Sequence, residues 1–395
     1  MITLILLMII YLAFISLGLP DALLGVAWPL VRQEWMMGLD AAGIISIVVT
    51  VGTISSSLLS GKLIKRFGEG KITLMSGLLT GFALLGYSLA PSFIWFIFLA
   101  LPLGFGAGSV DTALNHFVAT HFKAHHMNWL HSFWGVGATA GPLLMGFIIA
   151  STGSWRKGYL VVALIQLFLA AIIFLSLPLW KRHATEQANK ADEETEVLNE
   201  NHTDSKRIFL RPGVPFALLI FMVYCAGEFA MGLWGASYLV QKRALTLNLA
   251  ASWVGLYYAG ITVGRILAGF ISFKLSNKQL ITLGILIALA GSILLVGNIS
   301  DHLSMMAFIL IGLGFAPIFP SMVHETPKRF GNKIAQSVIG YQMASAYVGI
   351  AVFPPLLGVV MQRTSIGLYP VFMLACVILL GILTVLLNRA TKIKT

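Results

Sequence analysis

Long apolar stretches recur along almost the whole chain, and short polar segments separate them. A helix needs about 20 consecutive, mostly apolar residues to cross the hydrocarbon core of a bilayer. We therefore expect an all-α protein that lies in a lipid bilayer. An α-helix can cross the hydrocarbon core because all of its main-chain hydrogen bonds form within the helix. The pattern predicts twelve transmembrane helices, at 4–31, 41–61, 72–90, 92–117, 128–150, 156–178, 213–239, 250–273, 278–298, 303–323, 334–361 and 367–388.

One long polar segment interrupts this pattern between residues 183 and 211. It carries many acidic and basic side chains and few apolar ones, so folding it would bury too little surface to offset the entropy lost on ordering. We predict a mobile cytoplasmic linker there. It divides the chain into an N-terminal half of six helices, 1–182, and a C-terminal half of six helices, 212–395.

The two halves carry similar residues in the same order. These echoes are Asp21, Gly25 and Trp28 against Glu228, Gly232 and Trp234, Gly104 and Gly106 against Gly312 and Gly314, and Gly137 and Pro142 against Gly349 and Pro354. Glycine and proline are common in transmembrane helices, but their recurrence in order predicts two six-helix pseudo-repeats. Secondary transporters are often built from internal repeats of this kind.

The composition and the basic residues support a membrane location and give an orientation. Hydrophobic residues make up 58% of the chain and charged residues 10%, far from the composition of soluble proteins. Of the 26 Lys and Arg residues, 19 fall on the side of the linker and of both termini. By the positive-inside rule this side is cytoplasmic, in a bacterial-type inner membrane. The net charge of +11 then requires no nucleic-acid partner.

The sequence gives no sign of an enzyme. Cys225 and Cys376 both lie in apolar spans, so they form neither a disulfide framework nor a metal motif. No nucleophile elbow, zinc-protease motif or phosphate-binding loop is visible. We expect no catalytic residues, no metal and no cofactor. The N-terminus lacks the basic region of a signal peptide, and we interpret it as the first span.

Three acidic residues lie inside predicted spans: Asp21 in the first, Asp111 in the fourth and Glu228 in the seventh. A charge at the bilayer centre costs roughly 2.5 to 3.5 kcal/mol on insertion scales, so such residues usually face a watery interior and mark the path of an ion, a proton or a substrate. We predict proton coupling by these three residues. The structural alternative is a carboxylate that only hydrogen-bonds its neighbours.

Arg265 lies in the eighth span, next to the span of Glu228. Two charges on neighbouring antiparallel helices can compensate each other, which predicts a charge pair of Glu228 and Arg265. The pair is either a static clamp, or Glu228 exchanges Arg265 for a proton or a substrate during transport, since a desolvated carboxylate favours its protonated form.

Four further residues are candidates for binding a solute: Trp28, Asn115, Trp234 and Tyr257. Trp28 shares a helical face with Asp21, and Asn115 follows Asp111 by one turn. Aromatic side chains can stack on a ligand, although within spans they more often serve packing or interfacial anchoring.

The loop between the second and third spans reads Gly61-Lys62-Leu63-Ile64-Lys65-Arg66-Phe67-Gly68-Glu69-Gly70-Lys71. With twelve spans, a repeat and a central linker, it resembles the major facilitator superfamily, whose loop signature is G-x-L-x-D-R-x-G-R-[RK]. Matching positions are Gly61, Leu63, Arg66 and Gly68, whereas Lys65 and Glu69 depart from it. The resemblance implies the twelve-helix fold of that superfamily, a central cavity lined by spans one, four, seven and ten, and a gating loop containing Gly61, Arg66 and Gly68.

Acids in spans one and four, with residues 314–321 in span ten, are similar to the fucose-permease-like sugar uptake group. This resemblance implies roles for Asp21 and Asp111 in proton coupling and sugar binding. We expect a monomer whose partners are a small-molecule substrate and protons, and which takes up a neutral sugar-like solute by alternating access. Efflux of cationic or lipophilic drugs is an alternative, and a membrane sensor without transport is another.

Overall fold

The computed structural model describes residues 2–122, 124–191, 208–297 and 300–391, where the regular structure is helical and contains no strand. Its helices are α1 (Ile2–Gly18), α2 (Leu23–Glu34), α3 (Ala41–Phe67), α4 (Glu69–Leu89), α5 (Phe93–His121), α6 (Ala124–Thr152), α7 (Trp155–Ala191), α8 (Val214–Arg243), α9 (Leu247–Ile271), α10 (Asn277–Gly297), α11 (Asp301–Phe315), α12 (Ile318–Phe330), α13 (Asn332–Arg363) and α14 (Leu368–Ala390).

Twelve of the described segments are long and apolar enough to cross a membrane, which confirms the predicted number of spans. Helices α1 and α2 together form the first span, Ile5–Glu34, and α11 and α12 together form the tenth, Asp301–Phe330. Helix α7 continues to Ala191, inside the segment predicted to be a linker. Residues 192–207 of that linker lie outside the described part of the chain.

Two spans are interrupted near their middle, which the apolar pattern did not predict. In the first span, α1 ends at Gly18 and α2 begins at Leu23. In the tenth, α11 ends at Phe315 and α12 begins at Ile318. Pro20 lies in the first break and Pro317 in the second; proline has no main-chain N–H to donate, so a helix readily ends beside it. Asp21 therefore lies in a turn and not within a regular helix.

Contacts group the chain into two compact units. The first comprises residues within 1–20, 48–137 and 154–202, and the second those within 21–47, 138–153 and 203–395. These boundaries differ from the halves 1–182 and 212–395, because segments 21–47 and 138–153 pack with the second unit. The division into six-helix halves on either side of a linker stays a prediction.

Helix packing in the first unit depends on buried aromatic side chains and one buried polar contact. Helix α4 packs against α5 and α7. The rings of Tyr87 and Phe96 stack with centroids 3.9 Å apart, and Tyr159 meets both rings edge-on. Gln166 of α7 accepts a hydrogen bond from the hydroxyl of Ser16, which fastens α1 to α7.

A close contact between a glycine and the main chain of a neighbouring helix occurs in both units, at positions that differ by the same number of residues. A Cβ on Gly104 would overlap the carbonyl oxygen of Val49, and a Cβ on Gly312 would overlap that of Tyr257. Gly312 follows Gly104 by 208 residues, and Tyr257 follows Val49 by the same 208. Each glycine lets two helix backbones approach closely. The same contacts at the same spacing agree with the two pseudo-repeats predicted from sequence.

Candidate functional site

Helices α2 and α8 of the second unit touch at two glycines. A Cβ on Gly25 would overlap the carbonyl oxygen of Gly232, so only a glycine fits at this crossing. Asp21 precedes Gly25 by four residues, and Glu228 precedes Gly232 by four. Spans one and seven are both odd-numbered and so cross the membrane in the same direction. Both acids therefore lie on the same side of the crossing, Glu228 one helical turn from it and Asp21 in the turn just before α2.

Glu228 forms an ion pair with Arg265 of α9. Oε1 of Glu228 lies 3.7 Å from Nη2 of Arg265, and the side chains are 17% and 14% exposed. This distance is longer than a hydrogen bond, so the pair is electrostatic and not a locked bidentate contact. Oε1 of Glu228 has no hydrogen-bond partner within the described residues. The carboxylate therefore keeps acceptor capacity for a proton or a solute hydroxyl.

Three tyrosines surround this acid. Tyr224, one turn before Glu228, interacts electrostatically with both Glu228 and Arg265. Tyr257 donates a hydrogen bond to the main-chain oxygen of Glu228 at 3.5 Å. The ring of Tyr258 lies edge-on to that of Tyr257, with centroids 5.0 Å apart. All three are buried, so phenol groups and one ion pair form the polar part of this site.

Trp28 and Trp234 are fully buried in this structure. The indole nitrogen of Trp28 donates to the carbonyl oxygen of Leu39 at 3.0 Å, and that of Trp234 donates to the carbonyl oxygen of Pro354 at 2.8 Å. These bonds attach α2 to the segment before α3, and α8 to α13. The predicted role of both indoles in binding a solute stays a prediction.

Asp111 and Asn115 lie in α5 of the first unit and contact each other. The amide nitrogen of Asn115 donates to Oδ1 of Asp111 and to its main-chain oxygen, both at 2.9 Å. The amide thus holds the carboxylate from one turn away. This contact is compatible with a functional role and with the structural alternative.

The loop predicted to act in gating is short. Helix α3 ends at Phe67, and Gly68 joins it to α4 with a φ of +78°, a conformation that favours glycine. The guanidinium carbon of Arg66 lies 5.3 Å from the ring centroid of Phe67. Gly61, within α3, faces open space. The gating role stays a prediction.

Glu69, at the position where the signature has arginine, contacts a histidine in a way that we did not predict. Its Oε1 lies 3.2 Å from Nδ1 of His116 on α5. The second unit repeats this arrangement 208 residues later, where Nδ2 of Asn277 lies 3.1 Å from Nδ1 of His324. At this spacing Glu69 corresponds to Asn277 and His116 to His324, so the sequence alone shows that polar residues recur at both positions.

Sequence reasoning also missed Tyr224. Its spacing of four residues from Glu228 places both on one face of α8, which is a signal that a search for neighbours of the acid would detect. In the described part of the chain no three His, Cys, Asp or Glu residues come together as metal ligands would. Cys225 and Cys376 are buried free thiols.

The sequence profile of the Major Facilitator Superfamily matches residues 10–354. The chain belongs to this superfamily. Relatives named for what they do are transporters and not enzymes, which agrees with the expectation from the sequence. The twelve spans and the repeated glycine contacts therefore belong to a superfamily transporter.

Two relatives show the range of solutes within the superfamily. The cis,cis-muconate transport protein of Acinetobacter baylyi is 26% identical to this superfamily member over 390 residues, covering 95% of the chain and 92% of the relative. The glucose/mannose transporter GlcP of Bacillus subtilis is 26% identical over 381 residues, covering 94% and 92%.

A solved structure supports the fold. The crystal structure of a D-xylose-proton symporter matches with a TM-score of 0.73 at 14% sequence identity, covering 95% of this chain and 96% of that one. At this identity the likeness concerns the fold alone.

Proposed function

We propose that this superfamily member takes up a neutral, sugar-like solute together with protons. It does so by alternating access, as a monomer in a bacterial-type inner membrane with both termini in the cytoplasm. Asp21, Asp111 and Glu228 carry the protons. Trp28, Asn115, Trp234 and Tyr257 contribute to the solute site.

The observation that carries this proposal is the contact of Glu228 with Arg265 at 3.7 Å. Protonation of Glu228 neutralises its carboxylate, so the guanidinium of Arg265 becomes available to hydrogen-bond other acceptors. A solute oxygen that enters near Arg265 gains from this change, which links solute binding to proton binding. With Glu228 ionised, Arg265 is compensated and offers no net positive charge to an anionic solute.

The groups around the pair suit a polyhydroxylated solute. Phenol oxygens donate and accept hydrogen bonds, and aromatic faces pack against the axial hydrogens of a pyranose. Tyr224 and Tyr257 provide both properties beside Glu228. The similarity to the glucose/mannose transporter GlcP agrees with this substrate class.

An organic acid is a second candidate, favoured by the guanidinium of Arg265 beside Glu228. A guanidinium binds a carboxylate strongly, often through two parallel hydrogen bonds. The relative named for cis,cis-muconate supports this alternative.

Purified protein in proteoliposomes with an imposed inward proton gradient tests the proposal. We expect gradient-driven accumulation of D-glucose or D-xylose that a protonophore abolishes and that Glu228→Gln lacks. Accumulation of cis,cis-muconate alone would instead establish the organic-acid candidate. Extrusion of a lipophilic cationic dye without sugar uptake would establish drug efflux, and binding of a sugar without flux would identify a sensor.

A further inference from the structure

We propose that the phenol of Tyr258 passes protons between Asp21 and Glu228. This inference rests on the proposed function, because it assigns the route by which two of the proposed proton-carrying acids communicate. It gives Tyr258 a positioning and relay role that the resemblance to known transporters does not imply.

The first argument is where the phenol lies. A Cβ on Gly232 would overlap the hydroxyl oxygen of Tyr258, so this hydroxyl occupies the place of a side chain at position 232. The Cα–Cβ bond of a helical residue tilts toward the helix N-terminus, so a group in that place covers the preceding turn. The preceding turn of α8 begins at Glu228. The hydroxyl therefore lies over the turn that carries this acid.

The second argument is how Asp21 reaches the same place. Gly25 abuts the carbonyl oxygen of Gly232, and Asp21 lies four residues before Gly25, on the same side of the crossing as Glu228. The two glycines bring the acids of spans one and seven to the same level, beside the hydroxyl. The carboxylates of Asp21 and Glu228 both interact electrostatically with Tyr258.

The two acids differ in solvent access, and this difference determines which of them exchanges protons with water. Asp21 is exposed in the turn between α1 and α2, whereas Glu228 is largely buried beside Arg265. Asp21 is thus the acid that exchanges protons with water. Glu228 is the acid whose charge controls the guanidinium.

The step conserves atoms and charge. The carboxyl of Asp21 gives its proton to the phenol oxygen as the phenol O–H gives its own proton to the carboxylate of Glu228. One O–H bond breaks on Asp21 and one forms on Glu228, and Tyr258 is a neutral phenol before and after. Rotation of the phenol O–H resets the relay. Other titratable groups that interact with Tyr258 or Glu228 are Tyr224, Cys225, Tyr257, Arg265 and Tyr369.

The test compares Tyr258→Phe with wild type in two assays on the full chain in proteoliposomes, with D-glucose and D-xylose as probes. The first assay follows sugar-driven proton uptake with an internal pH dye. The second follows counterflow, in which labelled sugar exchanges for unlabelled sugar without a proton gradient. Loss of a positioned proton-transfer group typically costs about 10²-fold or more. We expect proton uptake to fall at least about tenfold and counterflow to stay within about twofold.

Tyr238→Phe is the matched control. It removes another buried phenol of the same unit, which interacts electrostatically with Arg243, and it should leave both assays near wild type. Tyr258→His, whose ring nitrogens can relay a proton, should retain more proton uptake than Tyr258→Phe. It also provides the comparison if the phenylalanine variant does not fold.

Each outcome decides the matter. Normal proton uptake in Tyr258→Phe overturns the relay and leaves the proposed function standing. Equal losses in proton uptake and counterflow make Tyr258 a packing residue, as does a histidine variant no better than phenylalanine. If wild type transports neither D-glucose nor D-xylose together with protons, both the proposed function and the relay are wrong.

Discussion

Replacing Glu228 and Arg265 singly and together should show that the two charges depend on each other. At 3.7 Å, Coulomb's law gives about 4.5 kcal/mol for an effective dielectric constant of about 20 and about 1 kcal/mol in water. The side chains are 17% and 14% exposed, so the first value applies better than the second. Removing one member strands the other, which typically costs about 3–5 kcal/mol.

We expect Glu228→Gln and Arg265→Leu each to lower the free energy of unfolding, and the double variant to lose less than the sum. The coupling free energy should be about 2–4 kcal/mol, within the Coulomb estimate. Unfolding in mixed micelles with increasing SDS, followed by tryptophan fluorescence, measures all four proteins. Proton-gradient-driven sugar uptake is measured in parallel, and it should be low in all three variants.

Arg243 and Asp301 provide the control cycle. Nη2 of Arg243 lies only 2.6 Å from Oδ1 of Asp301, but the side chain of Asp301 is 54% exposed. Exposed pairs contribute about 1 kcal/mol or less, so this coupling should be the smaller one despite the shorter distance. A coupling below about 0.5 kcal/mol for Glu228 and Arg265 would refute the reasoning. Wild-type transport in the double variant would reduce the pair to a structural clamp.

Three further outcomes are expected. Asp111→Asn should be expressed but lose gradient-driven uptake while keeping counterflow, because an amide cannot exchange the proton; undiminished uptake would make the acid structural. Gly25→Ala should lower the free energy of unfolding in SDS by about 1–3 kcal/mol, because the added Cβ would overlap a carbonyl oxygen. Gly340→Ala, whose Cβ would face open space, should leave this free energy unchanged or raise it slightly. Lys157→Cys should react with an impermeant maleimide in intact cells and Lys278→Cys only in inverted vesicles; the reverse would invert the topology.

The apolar pattern was sufficient for the number of spans, because length and hydropathy alone decide whether a segment can cross a bilayer. It could not predict that residues 19–22 and 316–317 interrupt two of these spans. A broken span is as apolar as a continuous one, and the break concerns main-chain hydrogen bonds that hydropathy does not record. Pro20 and Pro317 were visible, but proline is also tolerated inside transmembrane helices.

The candidate site was predictable to the extent that charge is costly in a membrane. That cost singled out Glu228 and Arg265, and antiparallel neighbours made their contact a reasonable prediction. The acceptors for Trp28 and Trp234 were not predictable, because the carbonyl oxygens of Leu39 and Pro354 belong to the main chain and leave no trace in side-chain patterns. The position of Tyr258 against Gly232 likewise depends on a helix crossing that the sequence does not specify.

The recurring glycine contacts have a consequence for how this scaffold can change its specificity. Gly104 and Gly312 each meet a carbonyl oxygen, which is the same for any residue type. The side chain that belongs to that carbonyl is valine at 49 and tyrosine at 257, and position 265, an arginine, corresponds to a serine at 57. Positions that are equivalent in the two halves thus carry side chains with different chemical properties. New substrates can be acquired by exchanging these side chains, while the close approach of the helices is inherited unchanged.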